Sequence, residues 1–237
     1  MTRQPELAEL YPEVGAAGTL VAALQRALDE AGHPLTVVHE SAPGWRQTAA
    51  QLTDGNRSVS THLAIKERAF LLSFWERNVQ MAHGITTDLA DVAGATATWQ
   101  SGARVADLAS AWPFVGYDPM SEAYESGDPV AMQWQSYRER PNLDHDLIEA
   151  AYAESALRML FPFSSVGTLA WSRCTRYPYA AVMVAVDPRR DGVYRVHLGS
   201  GAFAYATTPQ EAIALVVAHL PPDLGPAIDG TADDLPT

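Results

Sequence analysis

Two segments of the chain, read side by side, predict its architecture: Val79–Trp99, VQMAHGITTDLADVAGATATW, and Ala202–Leu220, AFAYATTPQEAIALVVAHL. Each contains a short strand, a Thr-Thr pair, an acidic residue in the first helical turn and a helix rich in Ala and Val. Strands followed by a helix on one face are typical of the α+β class. The shared plan predicts two related sheet-and-helix units. Duplication and the convergence of ordinary helix-capping chemistry both account for it.

The strands of the first unit are predicted from turns and from alternation. Asp54–Gly55–Asn56 indicates a tight turn between two strands, and the run from Val59 to Ile65 alternates apolar with polar residues. Ala69–Trp75 and Val79–His83 continue the pattern, which favours antiparallel strands.

Helices are predicted before and after these strands. Apolar residues at helical spacing indicate a first helix over Thr19–Ala31, and Leu35–Glu40 is predicted as a short strand after it. Thr87 is expected to cap a helix over Asp88–Trp99. A short helix is expected to begin at Arg104.

The second unit is predicted to contain four strands, a closing helix opened by Thr208 and Pro209, and an aromatic plug after the preceding helix. The strands are Leu169–Arg173, Ala180–Val186, Val193–Leu198 and Phe203–Ala206, the helix is Gln210–Leu220 and the plug is Phe161–Pro162–Phe163.

Composition divides the chain further. Residues 1–118 are predicted as an N-terminal α+β unit, residues 119–160 as an acidic helical connector and residues 161–220 as a C-terminal α+β unit. One helix is expected within the connector, from Leu143 or Asp144 to Leu160. Residues 221–237 hold prolines, glycines and acids without a base, which predicts a flexible acidic tail.

Charge limits the partners. The 237 residues include 28 acidic and 16 basic residues, for a net charge of −12. Nucleic-acid phosphates and anionic membranes require a basic face, so neither is expected as a partner, whereas an acidic surface suits a basic protein. The single cysteine excludes an intrachain disulfide. The N-terminus resembles no secretion signal and no apolar run reaches membrane-spanning length, so we expect a cytoplasmic protein.

No specific catalytic or cofactor motif is present, and the sequence identifies no cofactor. Asp144–His145–Asp146 with Glu149 is the densest group of metal-ligating residues. We interpret it as an acidic helix start and predict no metal site. His62, His83 and Cys174 are the candidate catalytic residues. Each also fits an ordinary half-buried or buried position.

The most unusual segment is Arg173-Cys174-Thr175-Arg176-Tyr177-Pro178-Tyr179. Arg173 and Arg176, with the neighbouring aromatic residues, predict a site for a small-molecule or carrier-bound intermediate with an anionic group, because guanidinium groups bind such anions through two donors. The predicted ligand-binding residues are Trp171, Arg173, Arg176, Tyr177 and Tyr179. On a strand, Trp171, Arg173 and Thr175 would share one face. The alternative is a strand end where arginines lie over aromatic rings and pair with acids.

Several segments resemble an uncharacterised bacterial family, described as a domain of unknown function linked to natural-product biosynthesis. They are Gly44-Trp45-Arg46, Phe70–Trp75, Thr87-Asp88-Leu89-Ala90, Ala111-Trp112-Pro113-Phe114-Val115, Leu160-Phe161-Pro162-Phe163-Ser164-Ser165, Arg173-Cys174-Thr175, Asp191-Gly192-Val193-Tyr194 and Glu211-Ala212-Ile213. The resemblance covers residues 10 to 225. It implies a biosynthetic setting and supplies no catalytic residues.

Two functions are therefore expected as alternatives. The first is a soluble participant in specialised-metabolite biosynthesis, either a small enzyme or a protein that holds an intermediate, with a pocket between the units where the arginines face His62 or His83. The second is a non-catalytic protein-binding module, of the immunity or regulatory type, that uses its acidic surface.

Overall fold

The computed structural model describes residues 7–37, 48–199 and 201–235. The chain divides into two compact units, residues 1–122 and 123–237. The α-helices are α1 (Leu7–Leu10), α2 (Pro12–Ala17), α3 (Leu20–Glu30), α4 (Leu89–Gln100), α5 (Val105–Ala111), α6 (Pro119–Ser126), α7 (Pro129–Glu139), α8 (His145–Ala153), α9 (Ser155–Arg158) and α10 (Pro209–Ala218). The strands are β1 (Ala49–Asp54), β2 (Arg57–Leu63), β3 (Phe70–Glu76), β4 (Val79–Thr86), β5 (Val115–Gly116), β6 (Phe161–Ser165), β7 (Thr168–Ser172), β8 (Ala181–Pro188), β9 (Tyr194–His197) and β10 (Phe203–Ala206).

The first unit is built on an antiparallel sheet with the strand order β1-β2-β3-β4-β5. Arg77 and Asn78, which join β3 to β4, have φ angles of 47° and 66°. Positive φ at both positions gives a turn whose twist matches that of the flanking strands. Helices α3 and α4 pack against each other and against the sheet. Phe74 of β3 meets Trp99 of α4 with ring centroids 6.0 Å apart, so the core lies on this side.

The second unit contains an antiparallel sheet with the order β10-β9-β8-β7-β6. Helices α8 and α10 pack against each other, and α7 packs against β6. Sheet and helices share one core, which includes Trp134, Tyr137, Leu147, Ile148, Ala151, Leu157, Trp171, Val182, Val184, Val186, Val196, Ile213 and Val216. Helices from the predicted connector therefore supply much of the core of this unit.

The α+β class with two sheet units is confirmed. In both units a helix precedes the antiparallel strands and a side-chain-capped helix follows them. The Thr208 hydroxyl caps α10 by accepting the Glu211 backbone N–H at 3.2 Å. Hydrogen bonds from Thr207 also lower the pKa of Glu211. Duplication of the units stays a prediction.

The cap of α4 differs from the prediction. Asp88, rather than Thr87, accepts the backbone N–H of Ala90 at 2.8 Å. Thr86 instead donates its hydroxyl to Asp91 at 2.9 Å. A Thr-Thr-Asp run offers three side chains that can cap, so the sequence leaves the first helical residue uncertain by one position.

Three segments also differ from the predictions made for them. Phe161–Pro162–Phe163 lies in strand β6, because Val166 and Gly167, at φ 51° and 86°, turn the chain back onto β7. Ile65 lies beyond the end of β2 and is exposed. Leu35–Val37 form no strand, and the remainder of the predicted strand to Glu40 lies outside the described residues.

The predicted connector helix is divided. Glu154 takes an extended conformation, with φ −80° and ψ 117°, and separates α8 from α9. Upstream, Pro119 and Pro129 stand at the start of α6 and α7, where the missing N–H of proline is tolerated. The connector therefore contains further helices besides the one predicted from Leu143 or Asp144 to Leu160.

Residues near the C-terminus are hydrogen-bonded into the second unit, in contrast to the predicted flexible tail. Ile228 donates its backbone N–H to Arg173 at 3.0 Å, and Ala227 donates to Met159 at 2.9 Å. Cys174 and Ile228 form a parallel bridge. Within the described residues, no helix combines the length and apolar character that crossing a bilayer requires.

Gly94 in α4 lies directly beneath Trp112. A β-carbon at this position would come within 2.3 Å of the Trp112 ring, and the ring is held by a 3.0 Å hydrogen bond from its Nε1 to Thr98. Alanine normally stabilises a helix interior relative to glycine by about 0.5–1 kcal/mol. We predict that Gly94→Ala instead lowers the free energy of unfolding, by about 1–3 kcal/mol, because the ring must shift.

Urea denaturation measures this change. The double variant Gly94→Ala/Trp112→Ala, in which the overlap is absent, serves as the control, since alanine at position 94 should stabilise the Trp112→Ala background. Higher stability of the single variant would contradict the packing described.

Candidate functional site

The predicted ligand segment is not a continuous strand. Strand β7 ends at Ser172, and residues 173–178 run irregularly beside residues 228–232. Thr175 donates its backbone N–H to Ile228 at 3.1 Å, and Arg176 donates to Gly230 at 2.8 Å. The alternation of faces predicted for Trp171, Arg173 and Thr175 therefore does not apply.

Arg176 is a structural residue in this arrangement. Its side chain is 3% exposed, and its Nε lies 2.7 Å from Oδ1 of Asp229. The guanidinium group also lies 4.7 Å from the centre of the Tyr124 ring, and the Tyr124 hydroxyl donates to the carbonyl of Thr175 at 2.6 Å. Burial raises the pKa of Tyr124. Because the guanidinium is buried against an internal carboxylate, it is not presented to an external anion.

Cys174 is fully buried. Its sulfur accepts the backbone N–H of Ala180 at 3.2 Å and lies 3.4 Å from the Ser172 hydroxyl. A catalytic thiol must be reached by its substrate and is activated by a neighbouring base or cation. This thiol instead helps to hold the turn from Cys174 to Ala180.

Trp171 and Arg173 differ in their exposure to solvent. Trp171 is fully buried in the core of the second unit, and its indole Nε1 has no hydrogen-bond partner within the described part of the chain. Arg173 is half-buried, and its backbone N–H donates to Ala180 at 3.0 Å. Of the two predicted arginines, Arg173 is therefore the more accessible.

Tyr177 and Tyr179 belong to an aromatic cluster. The Tyr179 ring stacks on Phe163 at 5.0 Å and lies 5.8 Å from Phe161, and Tyr177 meets Tyr179 edge-on at 6.0 Å. Tyr177 is 69% exposed, whereas burial raises the pKa of the Tyr179 hydroxyl. Tyr177 forms the accessible edge of this cluster.

His62 and His83 both lie on the outer face of the first sheet, which is the face opposite α3 and α4. His62 pairs with Leu71 and His83 with Ser73 in the strand register. His62 is half-buried and His83 is exposed. These histidines belong to the first unit, whereas the predicted ligand-binding residues belong to the second.

The second sheet has an outer face that the sequence analysis did not assign as a site. Strand alternation directs Val182, Val184 and Val186 into the core and the residues between them outward. We define the aromatic face as the outward residues of β8, β9 and β10: Met183, Asp187, Arg195, His197, Phe203 and Tyr205. Met183, Phe203 and Tyr205 are 74%, 49% and 68% exposed.

The polar residues of the aromatic face are arranged around Phe203. His197 meets the Phe203 ring edge-on at 4.8 Å, and the Arg195 guanidinium lies 5.2 Å from the ring centre. Arg195 also donates to Asp187 at 2.7 Å. Arg195 Nε and His197 Nε2 have no hydrogen-bond partner among the described residues. The face thus combines exposed apolar side chains with one arginine and one histidine, each of which has a buried nitrogen that is not hydrogen-bonded.

A signal for this face exists in the sequence. In Arg195-Val-His197 and Phe203-Ala-Tyr-Ala206, large polar or aromatic residues alternate with smaller apolar ones. Both strands were predicted from the sequence, but their buried and exposed faces were not, because alternation alone does not tell which face the helices cover.

The ion pair between Arg176 and Asp229 provides a test of the C-terminal contact. We predict that Asp229→Ala lowers the free energy of unfolding by about 1–3 kcal/mol, because it leaves a buried cation without its partner. Chemical denaturation measures this change. Asp233→Ala, which removes an exposed carboxylate from the same segment, is the matched control and should have little effect. Equal stability of the two variants would contradict a structural role for the pair.

A match to a known protein family lies within the second unit. Residues 128–231 match the model of a family of unknown function, DUF6193. The matched range runs from the start of α7 to the C-terminal segment that pairs with Cys174 and Arg176, so it coincides with the core of the second unit. No curated protein and no solved structure matches the chain. The second unit is thus similar to a family whose function is unknown.

Proposed function

We propose that the chain is an accessory protein of specialised-metabolite biosynthesis that binds an acidic partner protein, such as the carrier of an anionic intermediate, on the aromatic face. The biosynthetic setting rests on the family resemblance seen in the sequence. The binding role rests on one structural observation, the exposed aromatic and cationic face of the second sheet.

The exposed apolar side chains of the aromatic face support a binding role. Phe203 and Tyr205 lie side by side on the outer face of β10, Met183 lies on β8 across the intervening β9, and each is about half exposed or more. Contiguous exposed apolar patches usually mark interaction sites, whereas scattered apolar residues do not. Aromatic residues, methionine and arginine are also the residues enriched at protein–protein interfaces.

Charge supports an acidic partner. Residues 165–206 contain five arginines and two aspartates, so this segment carries +3, whereas the rest of the chain carries −15 (−12 minus +3). Arg176 is buried and paired with Asp229, which lies outside the segment, so the charge left to the segment is +2 (+3 minus 1). Asp187 neutralises part of this charge through Arg189 and Arg195. Arg190, at the turn from β8 to β9, is exposed. A local cationic area on an acidic protein steers association with a negatively charged partner.

The shape of the face supports a macromolecular partner. Small-molecule sites are concave and enclose most of their ligand, whereas the outward side chains of β8 to β10 lie on an open sheet. Of the predicted catalytic residues, Cys174 is fully buried. These observations favour binding over catalysis.

The alternative function is a module that covers a basic protein with acidic residues. A depression of about 350 Å³ between α8 and α10 favours it, since its lining includes Asp146, Glu149 and Glu154. Arg138 already binds Glu149, with Nε 2.6 Å from Oε1, and lowers its pKa. Part of this acidic surface is therefore neutralised internally, and for that reason we favour the aromatic face.

Gene replacement in the organism that encodes the protein tests the proposal. Deletion should abolish or alter one metabolite. We predict that Phe203→Ser/Tyr205→Ser fails to restore it, with a yield lower by at least about tenfold, because residues central to an interface carry most of the binding energy. Mass spectrometry of extracts measures the yield, and melting temperatures establish that the variants fold.

Matched variants distinguish the surfaces. Leu71→Ser/Ile85→Ser removes two exposed apolar residues from the first sheet and should restore the metabolite. Failure of Asp146→Asn/Glu154→Gln alone would favour the basic-partner alternative. Full restoration by Phe203→Ser/Tyr205→Ser would contradict the proposed role of the aromatic face, and an unchanged metabolite profile after deletion would contradict the biosynthetic setting.

A further inference from the structure

We infer that the partner adds an extended strand to the free edge of β10, with its acidic side chains directed toward Arg195 and His197. This inference rests on the proposed function and specifies the binding mode. Addition of a strand supplies affinity through main-chain hydrogen bonds and specificity through alternate side chains.

The hydrogen-bond pattern of β9 and β10 leaves two residues of β10 directed at the edge. Leu198 donates its backbone N–H to Ala202 at 3.0 Å, and these two residues stand opposite each other in the register. In an antiparallel pair, hydrogen-bonded and non-hydrogen-bonded pairs alternate. The pair Val196–Ala204 is therefore hydrogen-bonded, and Phe203 and Tyr205 direct their backbone N–H and C=O groups away from β9.

The connection between β8 and β9 follows the same alternation. Arg189 donates its backbone N–H to Val193 at 2.8 Å, so Arg195 and His197 bond toward β8, opposite Asp187 and Ala185. The hydrogen-bond patterns deduced for the β8–β9 pair and the β9–β10 pair are thus consistent with each other. It leaves one N–H and one C=O on each of Phe203 and Tyr205 for an added strand.

The opposite edge of this sheet is blocked. In β6, Pro162 has no N–H to offer, and its carbonyl accepts a hydrogen bond from Gln133 of α7 at 3.1 Å. Helix α7 also packs along β6. A helix and a proline are common means by which proteins prevent strand addition. One edge of the sheet is closed in this way, whereas β10 carries no such device within the described residues.

The groups beside the free edge indicate an acidic occupant. Tyr205 lies next to Arg195, and Phe203 lies next to His197 in the register. Both neighbours are on the outer face, one strand in from the edge, where a carboxylate on a long side chain of the added strand can approach them. A second copy of this chain, paired through its own β10, fits less well, because β10 (Phe203–Ala206) contains no carboxylate to offer to these neighbours.

A peptide probe tests the inference. We propose a fluorescent peptide of about ten residues that alternates valine and glutamate, with a valine–lysine peptide of equal length as the charge control. Fluorescence anisotropy with the full chain should show binding of the glutamate peptide, at least about tenfold tighter than that of the lysine peptide. Absence of binding by the glutamate peptide up to about 1 mM would overturn the inference.

Two substitutions of Tyr205 distinguish binding at the backbone edge of β10 from binding through side chains of the aromatic face. Tyr205→Ala removes the side chain, whereas Tyr205→Pro also removes the N–H that faces the edge, and proline is tolerated there because this N–H does not bond to β9. We predict that Tyr205→Pro binds the glutamate peptide at least about fivefold more weakly than Tyr205→Ala. In the unmodified protein, the peptide should also slow amide exchange of Phe203 and Tyr205.

The outcomes distinguish the inference from the proposed function. Equal weakening by both variants, without amide protection, would overturn strand addition and leave the aromatic face as the binding surface. Wild-type affinity in both variants would contradict the face as well. A dimer in sedimentation that Tyr205→Pro converts to a monomer would show a second copy at this edge and overturn the acidic occupant.

Discussion

Side chains of a β-strand alternate between two faces, and in the second unit the helices cover one face of the sheet. Val182, Val184 and Val196 meet α8 and α10 in the core, so the residues between them must face outward. The aromatic face is a direct consequence of this one-sided burial. The outward face of a sheet that is covered on one side is ordinarily polar, so the exposed aromatic rings of Phe203 and Tyr205 are the informative departure.

Contacts with the C-terminal segment explain why Arg176 and Cys174 of the predicted ligand site have structural roles. Asp229 neutralises Arg176, and Ile228 pairs with the backbone around Cys174. Two of the residues that the sequence singled out therefore serve stability, in agreement with the alternative in which arginines lie over aromatic rings and pair with acids. Cationic groups available for recognition lie instead on β9 and at the turn before it, beside exposed aromatic residues.

Much of the architecture was predictable because local signals sufficed. The turn at Asp54–Gly55–Asn56 and the alternation in β2 predicted antiparallel strands, and the Thr208–Pro209 pair predicted the start of α10. The contact of Asp229 with Arg176 was not predictable, since it joins residues 53 positions apart. Strand β6 was missed because Phe161–Pro162–Phe163 was interpreted as an aromatic plug after a helix, yet proline is accepted in a strand at a sheet edge. Predicting the aromatic face would have required knowing which side of the second sheet the helices cover, and periodicity alone does not supply this.

Hydroxyl-radical footprinting of the free protein tests the one-sided burial most directly. The account predicts rapid labelling of Met183, Phe203 and Tyr205 and slow labelling of Trp134 and Trp171, which are buried in the same unit. Protection of all three outward residues, at the level of the two tryptophans, would mean that another element covers the outer face of the sheet. That result would contradict the account.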